Sequence, residues 1–372
     1  MSEEVAARIR DTIRDQGPIT FAEFMEHALY GSGGFYEIPP VGARGHFVTG
    51  PHVHPVFARL IGVGLELLHA MLGRPEPFRI VEVGAGDGTM ARELLDGFAR
   101  GAVQVDYLAV EVSRGARMAL TSLPLRVQER LADVGPVEDG VLLANELLDN
   151  LPFRRVRGTA TGLVEVCVGL DRDRFVEVRI PCAPELATLA GRVREGEGTV
   201  VPVGALAFVD ELASVLASGY AVLIDYATER GREDPVHGYR DHRVLEDVLH
   251  DPGSADITAG VDLAAVADRA RQRGLVPFRT VPQWAALTAL GFDAWSQGEL
   301  DRQTELLASG RGTEAVRVWG ERSRASLLID PTALGRLRWL VLATPGLEEP
   351  GWLRTAGTAE RERGSTGRSA TF

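Results

Sequence analysis

An α/β fold is the class that this 372-residue sequence predicts, on three observations. Short apolar, largely β-branched runs recur at 79–83, 105–111, 140–144 and 220–225. The first breaks into Gly84, Gly86 and Gly88 and then into an apolar-periodic stretch, 89–98, which reads as strand, tight turn and helix start. Further helix-length segments separate the runs. Strands this apolar suit a sheet covered on both faces, hence parallel strands joined by crossover helices. The expected architecture is a Rossmann-like sheet with a helical N-terminal region and two insertions.

Each element has its own warrant. Residues 1–16 are amphipathic, with Val5, Ile9 and Ile13 on one face. Residues 19–30 predict a helix with Thr20 as cap, Glu23 as capping-box partner, and Ile19 with Phe24 as hydrophobic staple. Gly31 ends it. Residues 31–52 read as a long functional loop that Phe35, Tyr36 and Phe47 favour ordering. Pro55 opens a helix that carries Val56, Leu60, Val63, Leu67 and Met71 and stops at Gly73. Residues 1–75 thus form a helical cap with its loop, and 76–343 the sheet domain. A short third strand is expected at 125–128. One insertion, about 154–205, holds a hairpin (164–168 with 174–180) and two helical stretches; a second, about 227–303, holds helices and loops. Residues 336–343 read as the last strand, and the polar segment 344–372 as an unstructured tail.

A net charge of −12 argues against a nucleic-acid partner, whose binding needs cations to neutralise phosphates. No apolar run reaches membrane-spanning length. The N-terminus lacks the apolar core of a signal peptide, and its acids disfavour a mitochondrial presequence. Cys167 and Cys182 provide neither a disulfide framework nor a metal cluster, so a cytoplasmic setting is expected. His46, His52 and His54 are closely spaced, and alternation would put the last two on one side of an extended segment. No nearby carboxylate or cysteine joins them and Pro55 interrupts, so no metal is expected.

The glycines belong where backbone must approach a ligand at dihedrals that a Cβ would forbid. Glu82, at the end of the first strand, narrows the ligand. A carboxylate there repels pyrophosphate but pairs with a cationic amino acid, and Thr89 occupies the place of the third glycine in the dinucleotide pattern. The expected cofactor is therefore S-adenosyl-L-methionine. Glu82, Gly84, Ala85, Gly86 and Gly88 would hold its methionine end, and Glu111, closing the second strand, its ribose. The fourth strand runs into Asn145, Glu146 and Asp149, polar groups that need a partner or a task at a buried edge. Capping of the next turn by Asn145 or Asp149 is one use. The other is catalytic: Asn145 beside the cofactor, with Glu146 and Asp149 orienting the nucleophile. Asp225 could hold a substrate cation or salt-bridge an arginine, and His242 could serve as base or pocket residue. A nicotinamide-dependent dehydrogenase is the competing cofactor reading.

The loop 41–51 (VGARGHFVTGP) resembles the segment G-x-K/R-G-D-F-V-T-A-P of the MidA family of methyltransferases. Segments 19–36, 80–88, 145–152, 223–226 and 253–262 are similar to it as well, in the same order. The resemblance implies a class I methyltransferase sheet, Thr49 and Gly50 closing over the cofactor, and protein or peptide arginine as acceptor. Glu146 and Asp149 would then localise the guanidinium charge away from the attacking nitrogen. The chain departs from the family where His46 replaces Asp, where Pro51-His52-Val53-His54 replaces Pro-Glu-Ile-Ser, and where Gly260 replaces His. These positions fall in loops expected to touch the acceptor, which makes His46 and His52 candidate substrate contacts. They leave a small-molecule N- or O-acceptor open, as is a non-catalytic assembly factor that keeps the cofactor. The expected partner is a protein, peptide or small-molecule methyl acceptor, with no nucleic acid and no membrane; a homodimer is left open.

Overall fold

The computed structural model describes residues 2–37, 49–101, 103–228, 236–240 and 243–368. His46, Phe47 and His242 lie outside the described residues. In chain order the strands are β1 (Phe78–Val83), β2 (Val105–Val110), β3 (Arg126–Gln128), β4 (Gly140–Asn145), β5 (Arg154–Thr159), β6 (Gly162–Asp171), β7 (Arg174–Pro181), β8 (Gly198–Val201), β9 (Gly219–Asp225), β10 (His237–Arg240), β11 (Arg243–Leu245), β12 (Asp256–Thr258), β13 (Val276–Pro282) and β14 (Arg338–Ala343).

The main sheet has seven strands in the order β13-β14-β9-β4-β1-β2-β3. β1 lies parallel to β2 and β4, and β4 parallel to β9, so the carboxyl ends of these strands share one edge. β14 runs antiparallel between β9 and β13, pairing Arg338 with Asp225. One face packs under helix Val56–Met71 and helix Thr89–Gly101; the other under helix Val203–Val215 and helix Leu263–Gln272.

Two features differ from the sequence expectation. Helix Leu263–Gln272 and β13 fall within the second expected insertion, yet they belong to the main α/β layer: Leu263, Val266 and Ala270 pack against Leu340 and Leu342. The prolines and arginine of β13 hide its strand character, and they are tolerated because β13 is an edge strand. The expected unstructured tail is instead helix Gly351–Arg368, docked through Trp352, Leu353 and Ala356 into the core, with Trp352 edge-on to Trp339 at 5.7 Å. Three apolar residues within two turns anchor an otherwise polar helix.

The first insertion's hairpin, β6 with β7, is joined by β5 and β8 into a four-stranded sheet, and β11-β10-β12 form a third. The capping box of Thr20 and Glu23 is present; the helix then widens into a π-helical turn, Glu26–Tyr30, before Gly31 ends it. Residues Gly50–Val53 form a short helix inside the expected loop. Among the described residues no helix is long and apolar enough to cross a membrane.

Candidate active site

At the carboxyl ends of β1, β2 and β4 a cavity of about 490 Å³ is lined by Glu82, Gly84, Ala85, Gly86, Glu111 and Asn145, together with Thr49 and His52. Glu82 is 2% exposed and its Oε2 accepts a 2.6 Å hydrogen bond from the Tyr107 hydroxyl. Burial pushes its carboxyl up to about 8, against the lowering effect of that bond. A cation brought alongside would restore its charge.

The glycine turn separates into distinct tasks. Gly86 has φ +56°, and a Cβ there would meet nothing within 4 Å. Its N–H donates to Glu111 Oε2 at 2.8 Å, while Ser113 N–H donates to Oε1 at 2.7 Å. Glu111 is thereby fixed at the cavity wall; burial raises its pKa and these amides oppose the rise. Gly84 lies under Leu147, whose Cδ1 would be 3.0 Å from a Cβ. Gly88 departs from its expected cofactor contact. A Cβ there would stand 2.8 Å from Leu120 and Leu123, so this glycine serves the packing of helix Arg114–Leu120.

Beyond β4 the chain turns sharply. Glu146 has φ +51°, a left-handed conformation that costs a non-glycine residue about 1–2 kcal/mol. Its N–H donates to Ile224 O at 2.8 Å, and its Oε1 accepts from Gly50 N–H at 2.9 Å and Asn145 Nδ2 at 3.2 Å. Burial pushes the Glu146 carboxyl up to about 7. Asp225, expected to hold a substrate cation or salt-bridge an arginine, lines neither cavity and makes no ion pair with an arginine among the described residues. Its Oδ2 accepts the amides of Leu147 (3.0 Å) and Leu148 (2.6 Å) and its Oδ1 that of Tyr226 (2.8 Å), which pins the turn that presents Glu146.

A second cavity, about 470 Å³, shares Thr49, Glu146 and Asn150 with the first. Asp149, Asp256, Tyr226, Tyr239, His237 and Arg336 complete much of its lining. Asp149 Oδ1 and His237 Nδ1 are buried and lack a hydrogen-bond partner among the described residues. Burial, then the neighbouring charges of Asp225 and Asp256, hold the Asp149 carboxyl well above the usual range. Tyr36 donates to Asp256 Oδ1 at 2.8 Å and Tyr30 to Asn150 O at 3.0 Å; the two rings stack at 5.3 Å. Of the cavity's acids, Asp256 escaped the sequence reading, as did His237 and Tyr239. The segment 253–262 contained the only signal for Asp256.

His52, expected as a substrate contact, lines the first cavity and not the second. It sits on the cofactor side, with Nδ1 3.0 Å from Thr49 Oγ1 and Nε2 3.1 Å from Asp87 Oδ2. The helical turn breaks the expected alternation of His52 and His54. His54 turns to Trp295 and Glu321, and its Nδ1 accepts the Val56 amide.

The first cavity fits S-adenosyl-L-methionine: a buried acid for the ammonium end, a floor without Cβ at Gly86, a fixed acid at Glu111, and an Asn145 Oδ1 without a partner among the described residues. Comparison with known proteins agrees. Residues 60–281 match the model of the S-adenosyl-L-methionine-dependent methyltransferase family Methyltransf_28. The mitochondrial protein arginine methyltransferase NDUFAF7 of Mus musculus is 30% identical over 330 residues, 79% of this chain and 75% of that protein. Its Homo sapiens counterpart is 28% identical over 331 residues, 79% and 74% of the two chains. A crystal structure of a COG1565 superfamily member from Burkholderia thailandensis, bound to S-adenosyl-homocysteine, superimposes with a TM-score of 0.81 at 28% identity, covering 94% of this chain and 93% of that one. With its sheet order, acid-tipped first strand and family match in accord, the chain belongs to this family and is an S-adenosyl-L-methionine-dependent methyltransferase.

Proposed function

We propose that the acceptor is a guanidinium, the side chain of a protein or peptide arginine, methylated on nitrogen. The observation that carries this reading is the second cavity: Glu146, Asp149 and Asp256 line a space that shares Thr49, Glu146 and Asn150 with the cofactor cavity, and Asp149 Oδ1 has no hydrogen-bond partner among the described residues. Buried carboxylates without a cation are costly, and a planar cation with several N–H donors satisfies them together. Tyr239 adds an aromatic wall, while the Tyr226 ring already carries the Arg336 guanidinium at 5.4 Å. The names of the NDUFAF7 relatives support the same acceptor.

Bound S-adenosyl-L-methionine supplies a methyl group on a sulfonium for in-line displacement. Glu82 would hold the positive end of that ligand, and Gly86 would leave room for it. Glu146 and Asp149 hold two guanidinium nitrogens and keep the charge on them, which leaves the third with a lone pair at the throat beside Thr49. Labelled methyl transfer to an arginine peptide library, with lysine-substituted and alanine-substituted controls, tests this. Label on arginine alone is the expected result; label on lysine, or on none of the peptides while a cell extract yields a labelled small molecule, overturns it.

A further inference from the structure

The hydroxyl of Thr49 has an unusual place. Thr49 is the N-cap of the turn Gly50–Val53, yet its side chain makes no capping hydrogen bond. Its Oγ1 turns instead to His52 Nδ1 at 3.0 Å, and His52 Nε2 meets Asp87 Oδ2 at 3.1 Å. Asp87 belongs to the glycine turn and is itself fixed, its Oδ1 accepting Thr89 N–H at 3.0 Å. The His52 side chain is 13% exposed. Thr49 also lines both cavities, whereas His52 and Asp87 line only the first. The resembled motif carries glutamate at the position of His52, so the imidazole is a feature of this chain.

These contacts fix a direction. Ionised Asp87 can only accept, so Nε2 carries a hydrogen; in the neutral ring Nδ1 is then an acceptor, and the Thr49 hydroxyl donates to it. Its oxygen lone pairs are thereby left for the throat. We propose that Thr49, His52 and Asp87 form a proton relay that deprotonates the acceptor nitrogen, with Thr49 as the catalytic residue and His52 and Asp87 as positioning residues. As the nitrogen lone pair bonds to the methyl carbon, the electrons of the breaking C–S bond stay on sulfur. The nitrogen's surplus proton passes to Thr49 Oγ1, and the original hydroxyl hydrogen passes to His52 Nδ1. Asp87 stabilises the resulting imidazolium until solvent takes the proton. Among the described residues the charged groups acting on this ring are the carboxylates of Asp87 and Glu146.

This relay rests on an acceptor that enters through the second cavity, so its test begins where no acceptor is needed. In ¹⁵N-histidine-labelled protein saturated with S-adenosyl-homocysteine, His52, assigned by loss of its signals in His52→Asn, should be the Nε2–H tautomer at neutral pH, and Asp87→Asn should shift it toward Nδ1–H. An Nδ1–H ring in the wild type overturns the relay, whatever the acceptor. With any methylated substrate, Thr49→Val should lower kcat by about 100-fold, with cofactor affinity kept and Thr49→Ser restoring most of the rate. In His52→Asn the pH profile of kcat should differ from that of the wild type. Full activity of Thr49→Val, or an unchanged pH profile in His52→Asn, overturns it; failure of arginine peptides alone overturns only the acceptor assignment.

Discussion

The amide of Gly50 donates a 2.9 Å hydrogen bond to Oε1 of Glu146, across 96 residues of sequence. It ties the short helix that follows Thr49 to the strained turn after β4, and Glu146 lines both cavities. Glu146→Ala should therefore lower kcat by about 100-fold or more, while the Kd for S-adenosyl-homocysteine moves by less than about threefold. Calorimetry beside initial rates separates the two; equal losses would place Glu146 with the cofactor.

Gly86 and Gly88 should fail in opposite ways. Gly86→Val places atoms in open cavity space, so cofactor binding by calorimetry should vanish while the fold survives the φ +56° strain of about 1–2 kcal/mol. Gly88→Ala should lower the Tm, because its Cβ collides with Leu120 and Leu123. Cofactor affinity of the folded fraction should stay measurable.

Glu82 makes stability depend on pH. Its folded pKa is raised from 4.5 to about 8, so its contribution is fully present below the unfolded value and is lost as pH rises through the folded one. The unliganded protein should lose Tm between about pH 5 and 8 from this group. Bound ligand ammonium offsets the loss, so the Tm increase caused by S-adenosyl-homocysteine should be larger at pH 8 than at pH 6. Glu82→Gln should flatten both trends in differential scanning calorimetry.

Asp149 predicts a different pH effect. Its raised pKa leaves it protonated at lower pH, and a cationic acceptor needs it ionised. The acceptor KM should fall as pH rises, and Asp149→Asn should raise KM by about 30-fold, on the scale of a buried charge pair that loses one partner. Steady-state kinetics over a pH series at saturating cofactor gives both.

The C-terminal helix should be structural. Trp352 and Leu353 are buried against the sheet's helical layer, and Trp352→Ala should cost about 3–5 kcal/mol in urea unfolding. An unchanged midpoint would mean that the helix is dispensable.

The central strands and the glycine turn were legible because continuous burial demands continuous apolar sequence, as in Tyr220 to Ile224. The edge strand β13 and the last helix were not, since partial burial lets polar residues and prolines in. The cofactor half of the site was legible too: its residues follow directly on strands, so sequence order places them at one edge. Asp256, His237 and Tyr239 were hidden by tertiary structure. Nothing local in their sequence says that β12, with β10 beside it, folds back onto the turn after β4, where the Ala259 amide meets Asp149 O at 3.1 Å. Asp225 shows the converse, an acid at a strand end whose oxygens are taken up by backbone amides.

The three-stranded sheet gives His237, Tyr239 and Asp256 to the second cavity and no residue to the lining of the first. If the second cavity receives the acceptor, one part of its wall is thus encoded apart from the residues that line the first, while Thr49, Glu146 and Asn150 serve both. Drift in residues 237–258 can retarget the enzyme while the machinery for handling its methyl source stays intact. Chimeras exchanged at that interval would inherit the transfer reaction from one parent and the preference from the other.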